Sequence, residues 1–286
     1  MLLRTPHWPV RVLCLGPPSV GRTYTTAPTP VKLAFQRTSP STSVAARSPP
    51  LVILHGLFGS KQNWQSLARA LSRDLATPVY SVDLRNHGDS PHAPDMTYEA
   101  MAADVARFVE REAGAPAAMV GHSMGGKVAM TLALTRPDLL TRLCVVDMAP
   151  LAVPLSATFR TYLEGMRHVD ALALDRQSRA DQALQPYVPE VDVRQFLLTN
   201  YKRTDDRQYR FRLPLDTLTR ALPDLSHFDA SNSPSSPFVK PTLFLAGSRS
   251  DYVPSSALPT IHRLFPRAEV KYLDAGHWGR SNGRNT

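Results

Sequence analysis

Gly121-His122-Ser123-Met124-Gly125 constrains this chain more than any other stretch. An apolar run, Ala117 to Gly121, leads into it. A helix-period segment, Met124 to Thr135, leads out of it until Pro137 stops the pattern. A serine flanked by glycines at a strand-to-helix junction sits in a strained turn where neighbouring backbones approach closely. Its hydroxyl then stands at the carboxyl end of a sheet, which makes Ser123 a candidate nucleophile. The same residues also match the start of a phosphate-binding loop: Gly121, four residues, then Gly126-Lys127. Position 128 is Val, where that loop needs a hydroxyl for Mg²⁺, and a methyl group cannot ligate a hard cation. The nucleotide reading is therefore set aside.

The text on either side of the turn alternates. Leu51 to Leu54 is a continuous apolar run bounded by Pro and Gly, the mark of a buried parallel strand, and Pro78 to Asp83 reads as the next strand. Between them, Trp64, Leu67, Ala68 and Leu71 recur at helical spacing within Asn63 to Leu75. Thr97 to Ala113 carries an apolar stripe, with Thr97 to cap it and Gly114 to end it. Leu143 to Asp147, Pro241 to Gly247 and Glu269 to Leu273 read as further strands, Ser256 to Phe265 as a helix, and Val31 to Phe35 as a weak first strand. This predicts an α/β fold, a mainly parallel sheet with helices on both faces. From Ala149 to Ser236 the alternation stops. Ser156 to Val169, Asp192 to Tyr201 and Asp216 to Leu222 read as helices of a cap over about 150–236, inserted after the sixth strand.

Two more strand ends carry chemistry. His55-Gly56-Leu57-Phe58-Gly59 follows the Leu51–Leu54 run, and a glycine turn there aims the Leu57 N–H at a developing oxyanion, with the Met124 N–H as second donor. Ala275-Gly276-His277-Trp278 follows the last strand, placing a histidine after the serine in chain order. Three acids compete to complete a Ser-His-Asp triad. Asp147 ends the strand after the nucleophile helix. Asp251 lies in Gly247-Ser248-Arg249-Ser250-Asp251-Tyr252-Val253-Pro254, one residue late for an acid counted back from Val-Pro, where Ser250 stands. Asp216 lies in the cap, where a helix-capping role competes. Asp83 and Asp89 bracket Arg85-Asn86-His87-Gly88 and are expected to fix a surface turn below the site. No His/Cys cluster has zinc spacing and no G-x-G-x-x-G occurs, so neither a metal nor a cofactor is expected.

The formal charge of +9 invites a nucleic-acid reading, but its distribution opposes one. Residues 1–50 hold six basic and no acidic residues; the remaining 27 basic and 24 acidic residues leave only +3. That first stretch also holds twelve Ser or Thr. An Arg-rich, acid-free leader fits an organellar transit peptide over residues 1–28. A secretory signal fits less well, since Arg11 and Pro17-Pro18 interrupt its apolar stretch. Cys14 would leave with the leader, so Cys144 would be the mature chain's one thiol. No apolar run reaches the ~18 residues of a membrane span.

Leu54 to Ser60, Asp83 to His92, Gly121 to Lys127 and Ala275 to Trp278 together resemble the α/β-hydrolase family. Within it they are similar to the mitochondrial alpha/beta-hydrolase domain-containing protein eleven group and its bacterial short-chain esterase relatives. The resemblance runs from about residue 30 to 278 and implies an α/β-hydrolase domain over 29–278. It implies a cofactor-free serine esterase or thioesterase acting on a small acyl ester through an acyl-enzyme. Yeast-type relatives pass the acyl group to an alcohol instead, and a hydrolase-like binding protein that has lost turnover is a third alternative. The group carries Ser at the Ser250 position and takes its acid from the earlier strand, which favours Asp147. It also implies a mitochondrial, matrix location. The resembled family continues past the histidine with a helix; Gly279 to Thr286 is polar, so residues 279–286 are expected to be a short tail without that helix.

Overall fold

Val52, Ile53 and Leu54 are fully buried, so both faces of their strand are covered. The computed structural model describes residues 29–40, 48–114, 116–152, 157–205, 208–228 and 236–277. The expected leader (1–28), Trp278 and the tail (279–286) lie outside the described residues. The strands are β1 (Phe35–Thr38), β2 (Leu51–Leu54), β3 (Val79–Val82), β4 (Ala117–His122), β5 (Leu140–Val146), β6 (Tyr201–Arg203), β7 (Tyr209–Phe211), β8 (Thr242–Gly247) and β9 (Ala268–Leu273). Seven of them form one sheet in the order β1-β3-β2-β4-β5-β8-β9; β6 and β7 form a separate hairpin. Only β1 runs against its neighbour; the other six are parallel.

The register decides what meets at the carboxyl edge. Leu54 lies opposite both Val82 and Gly121, so the loops after β2, β3 and β4 emerge side by side. His122 lies opposite Val146, and Val146 opposite Leu245, so Ser123, Asp147 and the loop after β8 emerge together as well.

Helix α1 (Gln65–Leu75) covers one face, where Ala68 packs with Leu51, Ile53, Val79 and Ala118. Helices α2 (Tyr98–Phe108) and α3 (Met124–Thr135) cover the other. Thr97 caps α2, its hydroxyl accepting from the Ala100 N–H at 3.2 Å. On the α1 side, Leu71, Leu75, Cys144 and Leu243 line an open cleft of about 510 Å³ beyond that helix.

The insertion between β5 and β8 holds α4 (Ala157–Ala171), α5 (Gln177–Leu184), α6 (Val191–Leu198) and α7 (Leu215–Ser226) as well as the β6-β7 hairpin; α8 (Leu258–Leu264) returns to the sheet. It follows the fifth strand, not the sixth: among the described residues one strand precedes β2. The weak signal at Val31 to Phe35 becomes β1, four residues further on. The hairpin and α5 are also additions to the three helices expected in a mostly helical cap. Each strand of the hairpin is three residues long, too short for alternation to register.

Candidate active site

Ser123 sits at φ 52° and ψ −117°, a conformation that L-residues avoid. The surroundings over-determine it. Its N–H donates to the Val146 carbonyl at 3.0 Å, and its carbonyl accepts from the Lys127 N–H at 3.1 Å. Gly125 has no room for a side chain, since a Cβ would lie 2.6 Å from the backbone oxygens of Leu54 and His55. Helix α3 therefore starts in direct backbone contact with the end of β2. The strain keeps the serine hydroxyl in front of the sheet, 8% exposed.

The Ser123 Oγ lies 3.0 Å from His277 Nε2, and His277 Nδ1 lies 2.6 Å from Asp147 Oδ2. The structure thus brings Ser123, His277 and Asp147 into one hydrogen-bonded chain across 154 residues of sequence. Asp147 has φ 51°, turning it out of β5 toward the histidine. Its Oδ2 also accepts from the Ser250 hydroxyl at 2.6 Å, and its Oδ1 from the Gly247 N–H at 2.9 Å. Burial alone would raise this carboxyl. The bonds from His277, Ser250 and Gly247 outweigh it and hold Asp147 below the usual carboxylate range.

The other two acids are not brought to His277. Asp251 is exposed, one residue past Ser250. Asp216 lies in the first turn of α7 and pairs with Arg167 at 2.6 Å; Pro214, not Asp216, holds the cap position. The ring of Tyr252 stacks on His277 with centroids 3.8 Å apart, and the His122 side chain meets the His277 carbonyl at 3.1 Å. Burial, then the neighbouring His277, pulls His122 down to about 4, so its ring is neutral.

The turn after β2 is built on two histidines. Gly59 N–H closes the Gly56–Gly59 turn on the Gly56 carbonyl at 3.0 Å. Phe58 occupies its third position at φ 64°, a place that favours glycine. The Phe58 N–H donates to His87 Nε2 at 3.1 Å, and the Leu84 N–H to His55 Nε2 at 3.0 Å. Both Nε2 atoms are acceptors, so each ring carries its proton on Nδ1 and donates it to a backbone carbonyl, that of Arg85 or Gly56. Burial, then the facing His55, pushes His87 down to about 3. Among the described residues no protein acceptor engages the N–H of Leu57 or of Met124.

Asp83 does not sit in a surface turn. It is buried, accepts from the Lys61 and Asp89 N–H groups at 2.6 and 2.8 Å, and pairs with the Lys61 ammonium. Lys127, which drew the phosphate-loop comparison, lies inside the protein against the Tyr98 ring. Sequence reasoning missed His55, His87, Ser250 and Tyr252 as parts of the site. The His55–His87 pair had a trace, one histidine at each of two neighbouring strand ends; Ser250 had one in its place counted back from Val253-Pro254, and Tyr252 had none.

In front of Ser123 lies a cleft of about 750 Å³. Leu57, Trp64 and Leu67 form its core side, and Phe159, Val193 and Phe196 of the insertion form its roof. It is mostly apolar, with polar groups converging at the serine, as a site for an acyl chain and its ester requires.

The chain resembles known proteins over most of its length. Residues 49–280 match the family model described as the alpha/beta hydrolase fold. The sn-1-specific diacylglycerol lipase ABHD11 of Mus musculus is 43% identical over 242 residues, covering 83% of this chain and 78% of that protein. Ethanol acetyltransferase 1 of Eremothecium cymbalariae is 30% identical over 278 residues, covering 87% and 78%. The solved structure of a marine microorganism esterase superposes with a TM-score of 0.79 at 34% identity, covering 87% of this chain and 93% of that one. With its strained serine turn, its parallel sheet and these relatives, the chain belongs to the α/β-hydrolase fold family.

Proposed function

We propose that this protein hydrolyses carboxylic esters or thioesters of acyl lipids, with Ser123 as nucleophile, His277 as general base and Asp147 as the acid of the triad. The observation that carries this reading is the hydrogen-bonded chain from Ser123 Oγ through His277 to Asp147, opening on an apolar cleft. His277 Nε2 takes the Ser123 proton as Oγ attacks the ester carbonyl. The tetrahedral oxyanion is held by the N–H groups of Leu57 and Met124. His277 then returns the proton to the leaving alcohol or thiol, and Asp147 fixes the ring and stabilises the imidazolium meanwhile. Water, activated by His277, releases the acid from Ser123. Glyceride esters are the first substrates to test, given the mouse relative's name. A fluorophosphonate probe should label Ser123. Ser123→Ala should lower esterase turnover by at least about a hundredfold with no change in folding. Turnover surviving at wild-type level would remove Ser123 from the mechanism.

The acetyltransferase relative supports a second outcome for the same acyl-enzyme, transfer to an alcohol instead of water. Product analysis with and without ethanol separates the two. The acid-free basic leader further supports import into mitochondria and removal of residues 1–28. Intact Met1 on organelle-purified protein would oppose that.

A further inference from the structure

Phe58 lies close to the serine and is held in a strained conformation although it performs no chemistry. It is fully buried at φ 64°, in a turn position where an aromatic residue stores strain. A strained conformation persists only where its neighbours hold it. The core supplies one hold, the His87 Nε2 that accepts the Phe58 N–H. The other holds come from the insertion. The Asn200 Nδ2 donates to the Phe58 carbonyl at 2.7 Å, and the Phe159 ring of α4 lies 6.0 Å from the Phe58 ring.

Asn200 is itself firmly placed. It follows α6, is 2% exposed, donates its N–H to Leu197 and accepts the Arg212 N–H. Its side-chain amide spans 142 residues of sequence to reach the Phe58 carbonyl, and also meets the Leu197 carbonyl at 3.4 Å. The Phe58 carbonyl belongs to the Gly56–Gly59 turn, one residue after the free Leu57 N–H.

We infer that Asn200 is a positioning residue for the oxyanion loop: it clamps the Phe58 carbonyl from the insertion and so keeps the Leu57 N–H aimed at the developing oxyanion. With the clamp gone, Phe58 is free to relax toward negative φ, and the turn moves. Donors in an oxyanion site act only at close range, so a shift of about 1 Å is enough to cost a large factor in rate. The clamp also makes the oxyanion site depend on a seated insertion, since no core residue contacts that carbonyl among the described hydrogen bonds.

The inference rests on the serine chemistry proposed above, and the test separates the two. Full-length wild type, Asn200→Ala and Asn200→Leu are titrated with a fluorophosphonate, and rates are counted per labelled site. Asn200→Leu keeps a similar buried volume without any donor, so it remains informative if truncation prevents folding. The expected result is a fall in kcat per labelled site of about 10- to 100-fold, with KM within about threefold of wild type. Affinity for a trifluoromethyl ketone, which binds as an oxyanion adduct, should fall by the same factor as kcat/KM. A merely structural contact would lower the melting temperature and the labelled fraction but not kcat per site. A kcat per labelled site within about twofold of wild type in a folded variant, or a loss confined to KM, overturns the clamp. No labelling of the wild type would instead sink the serine chemistry.

Discussion

Asp147 and Asp251 differ by geometry more than by chemistry. Asp147 turns out of β5 with positive φ, and its carboxylate receives three hydrogen bonds, one of them from His277. Asp251 is exposed one residue beyond the loop position that touches Asp147. Asp147→Asn should therefore lower kcat by up to about 10⁴, through the wrong tautomer of His277, while Asp251→Asn stays near wild type. The reverse ranking in one esterase assay would transfer the acid to Asp251. Ser250→Ala should fall between them, at about tenfold, since it removes one of the bonds that keep Asp147 ionised and oriented. The sequence count had pointed at Ser250 as the vacant acid position. What no count could say is that the serine there bonds to the acid supplied from another strand.

At the scale of elements, legibility follows burial on two faces. The run that became β2 is apolar throughout and buried along its whole length, and such a run stands out in the text. Helix α2 was legible because its stripe and cap residue agree; a wider helical turn, Val109–Ala113, carries the chain on to Gly114. The insertion was read less completely. Helix α5 buries only Ala180 and Leu184, and the hairpin strands hold three residues each. Helix α7 runs through Pro223 to Ser226 because Leu222 and Leu225 are buried, so packing overrides the expected stop. For the site, Ser123 and His277 carried local signatures, whereas the Asn200 contact depends on how the insertion folds back and has no local pattern. The junction of α3 with β2 gives the element-scale prediction. A Cβ on Gly125 would press on two backbone oxygens that β2 cannot move without losing register. Gly125→Ala should lose at least about 2 kcal/mol of stability and most serine labelling, read by urea melts and fluorophosphonate titration. An unchanged melt would mean that α3 can slide away from the sheet.

The stability of the molecule should depend on pH through groups that the core holds in unfavourable charge states. Burial sets His87 at about 3, against 6.5 for the free side chain. Below about pH 6.5 the unfolded chain takes a proton there that the fold refuses until about pH 3. Stability therefore falls as pH drops through that window, by up to about 1.4 kcal/mol per pH unit from this group. Lys127 works at the other end. Burial alone pulls it from 10.5 to about 8. Among the described residues its ammonium meets two carbonyls at 3.4 Å, those of Leu225 and Ser226 at the end of α7, and the face of Tyr98. Among the described residues no carboxylate pairs with it. Between about pH 8 and 10.5 the unfolded chain keeps the proton and the fold releases it, so the burial cost shrinks as pH rises. Below about pH 8 both states hold the proton and the cost is constant, a few kcal/mol. A buried charge without a counter-ion is replaced to advantage by an apolar side chain of similar length. Lys127→Met should accordingly raise the melting temperature at neutral pH by several degrees and abolish the gain in stability between about pH 8 and 10.5. Urea melts of both proteins across that range check the two effects together. A Lys127→Met protein no more stable than wild type would mean that the helix-end carbonyls and the Tyr98 ring already compensate the ammonium, which then serves as the bolt joining α7 to the nucleophile helix.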